Sequence, residues 1–178
     1  NRYIHEAFPK YTFQVYVPPS NILSLQGKKA IEETLPDIRI FSSLYDGPSD
    51  EEAYYQEFKR EDNGVYDIPR ITSGYKPPEL DLYFECTTIT SIGVFNHFVH
   101  PDELFYEESK DLTWHMMSES LIAFLHQIDT RYGWLTPVTT SESLPYFDSY
   151  FDLDYRVIHK PDELEIHCWQ YVNSASFL

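Results

Sequence analysis

The chain has 178 residues and a formal net charge of −16, because 29 acidic residues stand against 13 lysines and arginines. A hydrophobic content of 42% and an aromatic content of 17% exclude a disordered chain and suffice for a core, so the length fits one domain over residues 1–178. The negative charge disfavours nucleic acids and anionic membranes, and the chain has no glycine-rich phosphate-binding motif.

The first part of the chain alternates between predicted strands and short helices. Residues 11–17 and 38–41 are rich in β-formers and are predicted strands, with a short helix over 28–35 between them. Ser49 and Glu52 have the spacing of a capping box, which predicts a helix that runs to Lys59 or Arg60. Asn63 and Gly64 then form a turn signal before a short edge strand within 65–71.

The middle of the chain contains its clearest strand patterns. Residues 80–90 and 92–99 carry the β-branched and aromatic side chains typical of strands, and Gly93 fits either a turn between them or a bulge. Residues 101–110 fit the first turn of a helix or a turn between strands equally well. We therefore expect two adjacent strands before the longest helix of the chain.

The longest helical pattern runs from residue 111 to residue 134. Apolar side chains recur there at steps of three and four residues, and these are Met117, Leu121, Phe124, Leu125, Ile128 and Tyr132. Asp111 is the predicted N-cap and Gly133 the predicted left-handed C-cap. The expected fold is α+β, with a mainly antiparallel sheet packed against a long helix at about 111–132 and one or two shorter helices.

The last part of the chain predicts a β-hairpin, in which residues 155–159 pair with residues 164–172 across a turn at 160–163. Cys86 and Cys168 lie in separate strand-like runs, and we expect both to be buried free thiols. No apolar run reaches the length of a membrane span, and the first residues do not resemble a signal peptide. A cytoplasmic protein without a cofactor is the expectation.

The first candidate site is an acidic and aromatic run over residues 145–155. Its candidate partner-binding residues are Tyr146, Phe147, Asp148, Tyr150, Phe151, Asp152 and Asp154. Aromatic side chains contribute strongly to protein interfaces, and carboxylates beside them attract the lysines and arginines of a basic partner. The alternative is an ordinary strand or loop whose aromatic rings pack inward while its carboxylates face water.

The second candidate site lies in the acidic segment 50–62, where Glu51, Glu52 and Tyr55 would extend the same surface. The alternative is a solvated helix face with an inward aromatic stripe.

Histidines are the third candidate, as ligands of a metal. His97 and His100 are close in sequence, and His159 and His167 could converge across the hairpin. An odd spacing places His97 and His100 on opposite faces of a strand, and the chain has no HExxH or paired CxxC motif. Surface histidines are the simpler interpretation.

These patterns lead to one functional hypothesis and two alternatives. The charge, the aromatic content and the missing catalytic motif favour an acidic protein-binding module, most concretely an inhibitor or immunity-type protein that blocks a basic toxin or nuclease. The alternatives are a metal-dependent hydrolase with a His/carboxylate site and a structural subunit of a larger assembly.

Overall fold

Helices and short strands alternate along the chain in a computed structural model, which describes residues 2–21, 23–42, 57–107 and 110–169. The helices are α1 (Arg2–Ala7), α2 (Leu25–Thr34), α3 (Glu79–Ile92), α4 (Trp114–Arg131) and α5 (Leu144–Phe151). The strands are β1 (Val15–Tyr16), β2 (Ile40–Phe41), β3 (Lys59–Arg60), β4 (Tyr66–Asp67), β5 (Thr72–Ser73), β6 (His97–Phe98), β7 (Asp154–His159) and β8 (Leu164–Trp169). Two 3-10 helices are η1 (Pro19–Asn21) and η2 (Pro101–Phe105). The predicted α+β class is confirmed.

The largest described sheet has four strands in the order β1-β2-β4-β3. β1 pairs with β2 and β2 with β4 in parallel, whereas β3 folds back on β4 in antiparallel register. A second described pair, β5 with β6, is also parallel, and β7 and β8 form an antiparallel hairpin. The prediction of a mainly antiparallel sheet is therefore wrong, because among the described pairs the parallel ones are in the majority.

The parallel pairing of β1 with β2 follows from the helix between them. Antiparallel neighbours can be joined by a tight turn, but parallel neighbours need a crossover long enough to return the chain to the same end of the sheet. α2 is that crossover, and its N-cap Ser24 accepts a hydrogen bond of 3.0 Å from the backbone N–H of Gly27. Alternating apolar residues place a strand without revealing the direction of its partner, which is why the sequence pattern missed this.

α2 packs on the sheet through a buried cluster that joins both layers. The cluster consists of Leu23, Ile38, Phe41 and Val65, with Phe13, Tyr16, Ile31 and Leu35 packed against it. At the far edge, Gly64 has a φ of 82° and Asn63 Oδ1 accepts from the backbone N–H of Val65, so the predicted Asn-Gly turn joins β3 to β4. The predicted helix through Lys59 or Arg60 is wrong at that end, where the chain is β3.

α3 corrects the strongest strand prediction, that of residues 80–90. Acidic residues occupy its first turn and Gly93 ends it with a φ of 70°, so helix signals stand at both ends. The threonines that favoured a strand instead donate their hydroxyl hydrogens to carbonyls one turn back, as Thr87 does to Tyr83 at 2.8 Å and Thr90 to Cys86 at 2.7 Å. Local β-propensity was overridden by these end signals and by burial of one helix face.

α4 confirms the predicted long helix but not its ends. Thr113, rather than Asp111, is the N-cap and accepts from the backbone N–H of Met116 at 3.2 Å. The C-cap is Tyr132, and the described glycines with positive φ are Gly64, Gly74 and Gly93, so the prediction for Gly133 is also wrong. The buried cluster on this helix joins Phe124 and Ile128 to Ile89, so α4 packs against α3 rather than against a broad antiparallel sheet.

The chain divides into two compact units, residues 1–137 and residues 138–178. The first holds α1 to α4 and the strands β1 to β6, and the second holds α5 and the β7–β8 hairpin. The single domain expected over residues 1–178 stays a prediction. Across the described residues, each helix is too short or too polar to cross a membrane.

Candidate interaction surface and buried polar clusters

The acidic and aromatic run over residues 145–155 forms most of α5 and the start of β7. Because α5 is helical, its residues divide between two faces: Phe147 is buried, Tyr146, Asp148 and Phe151 are partly buried, and Tyr150, Asp152 and Asp154 are exposed. The structure thus presents the carboxylates of Asp152 and Asp154 and the ring of Tyr150 to solvent. The partner-binding role of the whole run stays a prediction, as does that of Glu51, Glu52 and Tyr55, which lie outside the described residues.

The β7–β8 hairpin carries an exposed apolar face that the sequence pattern did not single out. Tyr155 stands opposite Cys168, Val157 opposite Ile166, and His159 opposite Leu164. Paired residues share a face of an antiparallel ladder, so these side chains form one surface, here named the hairpin face. Its apolar members are exposed by 60% (Tyr155), 39% (Val157), 56% (Leu164) and 56% (Ile166). Most residues of the opposite face are exposed as well, so the described residues bury neither face of this hairpin.

Cys168 belongs to this face, which corrects one expectation from the sequence. Both cysteines are free thiols, but Cys168 is exposed and Cys86 is partly buried. The position of Cys168 opposite Tyr155 explains its exposure, since every member of the hairpin face is exposed.

Charged groups surround the hairpin face. Lys160 Nζ lies 2.7 Å from Glu163 Oε1 and 2.6 Å from Glu165 Oε2, so an ion-pair network spans the turn. Residues 138–169 hold seven acidic and two basic side chains. The Lys160 pairs are exposed and add little to stability, but the excess of carboxylates gives this unit a negative field.

The histidines do not come together as a metal site. His159 shares the hairpin face with Val157, whereas His167 stands opposite Arg156 on the other face, so the two histidines do not converge across the hairpin. His100 Nδ1 lies 3.5 Å from Asp102 Oδ1 near the surface, and His97 is engaged elsewhere. Among the side chains that the structure describes, no group of three or more His, Cys, Asp or Glu could hold a metal ion.

A buried polar cluster in the first unit joins Thr72 of β5, Glu85 of α3 and His97 of β6. The Thr72 hydroxyl is hydrogen-bonded to Glu85 Oε1 and lies 2.8 Å from His97 Nδ1. His97 Nε2 lies 2.8 Å from the carbonyl oxygen of Gly74. The sequence pattern did not reveal this Thr72–Glu85–His97 cluster, because Glu85 lies 13 residues and His97 lies 25 residues after Thr72. The sequence signal that could have indicated the cluster is Glu85, an acidic residue on the same buried side of α3 as Ile89.

Burial dominates the electrostatics of this cluster. Glu85 is fully buried, and desolvation raises its pKa to about 7 against weaker opposing hydrogen bonds from Thr72 and Asn96. Desolvation also lowers the pKa of His97, although the Gly74 carbonyl and the nearby Asp81 act in the opposite direction. Both shifts favour the uncharged forms of the acid and the imidazole.

A second buried group is the cation Arg70, which is 4% exposed. Its guanidinium carbon lies 3.8 Å from the centre of the Phe98 ring, a cation–π contact. Nε and Nη1 are enclosed, and within the described part of the chain neither has a hydrogen-bond acceptor. Desolvation lowers the pKa of this guanidinium.

A third cluster lies at the ends of the parallel strands. Lys28 Nζ lies 2.8 Å from Glu61 Oε1 and 2.9 Å from Asp67 Oδ1, and Lys59 Nζ lies 3.2 Å from Glu61 Oε1. Burial raises the pKa of Asp67 although Lys28 opposes this, while the hydrogen bond from Lys28 lowers the pKa of Glu61. A shallow cavity of about 140 Å³ borders Lys28 and Glu61. The side chains in this cluster neutralise one another, so it serves to join α2 to β4.

Comparison with known proteins gives a family for the whole chain. Residues 1–178 match the family described as "Uncharacterised protein conserved in bacteria (DUF2194)". The chain belongs to this family. No curated protein and no solved structure matches it. The description of this family names no activity.

Proposed function

We propose that this protein is an acidic protein-binding module that docks a basic protein partner, and that the hairpin face is the centre of its docking surface. The exposed apolar face of β7 and β8 is the observation that carries the proposal. A two-stranded hairpin is marginally stable in water on its own, and burying an apolar face against another surface stabilises it. An apolar patch with a polar rim is typical of protein interaction sites.

The charge around the hairpin supports a basic partner. Seven carboxylates against two cations in residues 138–169 attract a positively charged surface over the distance of the Debye length, about 8 Å at physiological salt. The exposed Asp152 and Asp154 lie just before and at the start of β7, so carboxylates accompany the apolar contact area. Charge then governs the rate of association, and the apolar side chains govern the lifetime of the complex.

In its most concrete form, the proposal is an inhibitor or immunity-type protein that blocks a basic toxin or nuclease. Such a partner binds nucleic acid through lysines and arginines, and these side chains would pair with carboxylates of this chain. Occlusion of the partner's active cleft by the hairpin face would require no catalytic group on this protein.

Charge-matched variants of the full chain test the proposal. Ile166→Lys places a cation in the centre of the hairpin face, and Ile122→Lys makes the same change at an exposed position on α4. A panel of purified basic nucleases and toxins is titrated by calorimetry at low and raised salt. We expect saturable binding to a panel member, weaker binding in salt, and at least a 30-fold loss for I166K, which corresponds to about 2 kcal/mol, the usual threshold of an interface hot spot.

The control distinguishes docking from general charge attraction. I122K should reduce affinity only slightly, since it changes the net charge equally but lies outside the hairpin face. Equal losses for both variants would mean that attraction is non-specific, and an absence of binding across the panel would refute the proposal. Val157→Lys, directly opposite Ile166, repeats the test if I166K alters the circular dichroism spectrum.

A further inference from the structure

The Thr72–Glu85–His97 cluster is a row of three polar contacts, Glu85 to Thr72, Thr72 to His97 and His97 to the Gly74 carbonyl. A carboxylate and a neutral imidazole do not supply enough hydrogens to make all three contacts hydrogen bonds, so the row needs one extra proton. The last acceptor is the Gly74 carbonyl oxygen, which can only accept, so His97 Nε2 carries a hydrogen and donates it. Thr72 has a single hydroxyl hydrogen but two neighbours, Glu85 Oε1 and His97 Nδ1. That hydrogen can satisfy one neighbour and not both.

Two arrangements complete the chain of hydrogen bonds. In the first, Glu85 is a neutral acid that donates to Thr72, and Thr72 donates to Nδ1 of a neutral His97. In the second, His97 is a cation that donates from Nδ1 to Thr72, and Thr72 donates to the Glu85 carboxylate. Each contains one proton more than a carboxylate beside a neutral imidazole. The heavy-atom geometry therefore indicates that the cluster holds one added proton.

The second oxygen of Glu85 decides between the arrangements. Oε2 is buried and has no hydrogen-bond partner among the described residues, and the backbone N–H of Asn96 acts on this carboxyl more weakly than the Thr72 hydroxyl does. A buried carboxylate oxygen without a donor is costly, because the negative charge is shared by both oxygens. The carbonyl oxygen of a neutral acid bears far less charge and tolerates the missing donor better. The proton therefore belongs on Glu85.

The charged groups around the cluster act on both Glu85 and His97, and burial outweighs their effect on His97. On α3, Asp81 stands near both Glu85 and His97, and a negative neighbour disfavours a second negative charge on Glu85. Asp81 and Glu103 of η2 favour a cation on His97, but burial lowers the pKa of His97 despite them, and α4 contributes the ring of Phe124, 5.1 Å from the imidazole. The described surroundings of Glu85 thus combine low polarity with negative charge.

We propose that Glu85 is a neutral carboxylic acid in the folded protein, and that the Thr72–Glu85–His97 cluster is a proton-dependent clasp that fastens α3 to the β5–β6 pair. When the proton leaves to solvent, the Thr72 hydrogen serves only one of its two neighbours, and a buried carboxylate remains with an orphan oxygen. The contact between α3 and the two strands is then weakened, so the first unit responds to pH near neutrality. This inference goes beyond the proposed docking function and does not depend on it.

The direction of the pH dependence follows from the sign of the shift. The pKa of Glu85 is raised from 4.5 to about 7 on folding, so its contribution to stability is complete below 4.5 and is lost as the pH rises to about 7. Within that window the folded state holds one more proton than the unfolded state at this site. The folding equilibrium constant therefore falls up to about tenfold per pH unit from this group alone.

Glu85→Gln tests the clasp by making the neutral state permanent. Its amide can donate to Thr72 and place its oxygen where Oε2 lies, but it cannot ionise. We expect the ratio of the wild-type folding constant to that of E85Q, measured by urea unfolding of the full chain, to fall between pH 5 and pH 7. Glu79→Gln removes an exposed carboxylate from the same helix and should leave the pH profile of the wild type in place.

A direct readout keeps the inference testable even if E85Q does not fold. In the wild-type protein at pH 6, infrared spectroscopy should detect a buried protonated carboxyl, and nitrogen NMR should show His97 neutral with its hydrogen on Nε2. Identical pH profiles for wild type and E85Q would overturn the proposal. So would an ionised Glu85 beside a doubly protonated His97 at that pH.

Discussion

At the scale of single residues, a few buried ionisable groups contribute more to the stability of the first unit than the many exposed ones do. The chain carries 29 carboxylates, yet those that shape the first unit are Glu85, which is held by a threonine, and Asp67, which is held by Lys28. Arg70 is enclosed over an aromatic ring instead of beside a carboxylate. Composition alone describes a solvated acidic surface, whereas the energetically important ionisable groups lie inside.

Lys28→Met should be strongly destabilising, because it leaves Asp67 buried without the two hydrogen bonds from Nζ. Breaking a buried pair by removing one partner costs about 3–5 kcal/mol, and the nearby Lys59 places the expected loss at about 3 kcal/mol. Without Lys28 the pKa of Asp67 rises further, so the loss should grow as the pH rises from acid to neutral. Urea unfolding at several pH values measures it.

Lys29→Met is the matched control, since Lys29 is exposed on the same helix and its neighbour Lys28 is buried. Its effect should stay within about 0.5 kcal/mol, as for most surface substitutions. Comparable losses for the two variants would show that Lys28 acts as a surface charge and not as a buried anchor.

At the scale of elements, the spacing of apolar residues predicted the helix and the hairpin that form between residues close in sequence. α4 was predictable because its apolar stripe repeats over five turns, and the hairpin because its strands flank a short turn. α3 was not, because its threonines and aromatic residues favour strands locally and outweigh the helix signals of Glu79 and Asp81 in its first turn and of Gly93 at its end. Parallel pairing and the Thr72–Glu85–His97 cluster depend on residues far apart in sequence, which no local pattern encodes.

Gly93→Ala should cost about 1 kcal/mol, because Gly93 ends α3 with a φ of 70° and a Cβ is strained in that conformation. Apart from the neighbouring backbone, no atom of the described residues lies within 4 Å of the position that a Cβ would occupy, so the loss would be conformational and not steric. Thermal unfolding monitored by circular dichroism measures the change.

Gly93→Asn tests whether the loss in G93A comes from the left-handed backbone conformation of residue 93. Asparagine tolerates the left-handed region better than alanine, so G93N should be less destabilising than G93A. The reverse order would show that Gly93 has another role than ending the helix.

At the scale of the whole molecule, the net charge of −16 sets both solubility and self-repulsion. Neither the charge nor the family assignment names a partner. The hairpin face is defined by the register of β7 and β8 and by the exposure of their apolar side chains. The predicted run over 145–155 lies in the same unit as that face and shares Tyr155 with it, and the partner-binding role of both stays a prediction. Exposure could not be foreseen, because alternation indicates two faces without showing which one meets solvent.

Moderate salt should stabilise the protein, because screening reduces repulsion among carboxylates that are crowded in the folded state. The midpoint of urea unfolding should rise as sodium chloride increases from about 10 mM to about 150 mM, where the Debye length falls from about 30 Å to about 8 Å. Sucrose at matched osmolality serves as the uncharged control. A midpoint that falls with salt would mean that favourable ion pairs outweigh the repulsion.

The exposed thiol of Cys168 allows a label to be attached to the hairpin face by a thiol-specific reagent. The chain has two cysteines, and Cys86 is partly buried on α3, so a maleimide reagent reaches Cys168 first. A dye attached there would stand among the apolar side chains of the hairpin face, where its emission depends on the polarity of its surroundings. The same thiol could carry a spin label or a photocrosslinker, and this native cysteine would then report on the proposed docking surface without any engineered substitution.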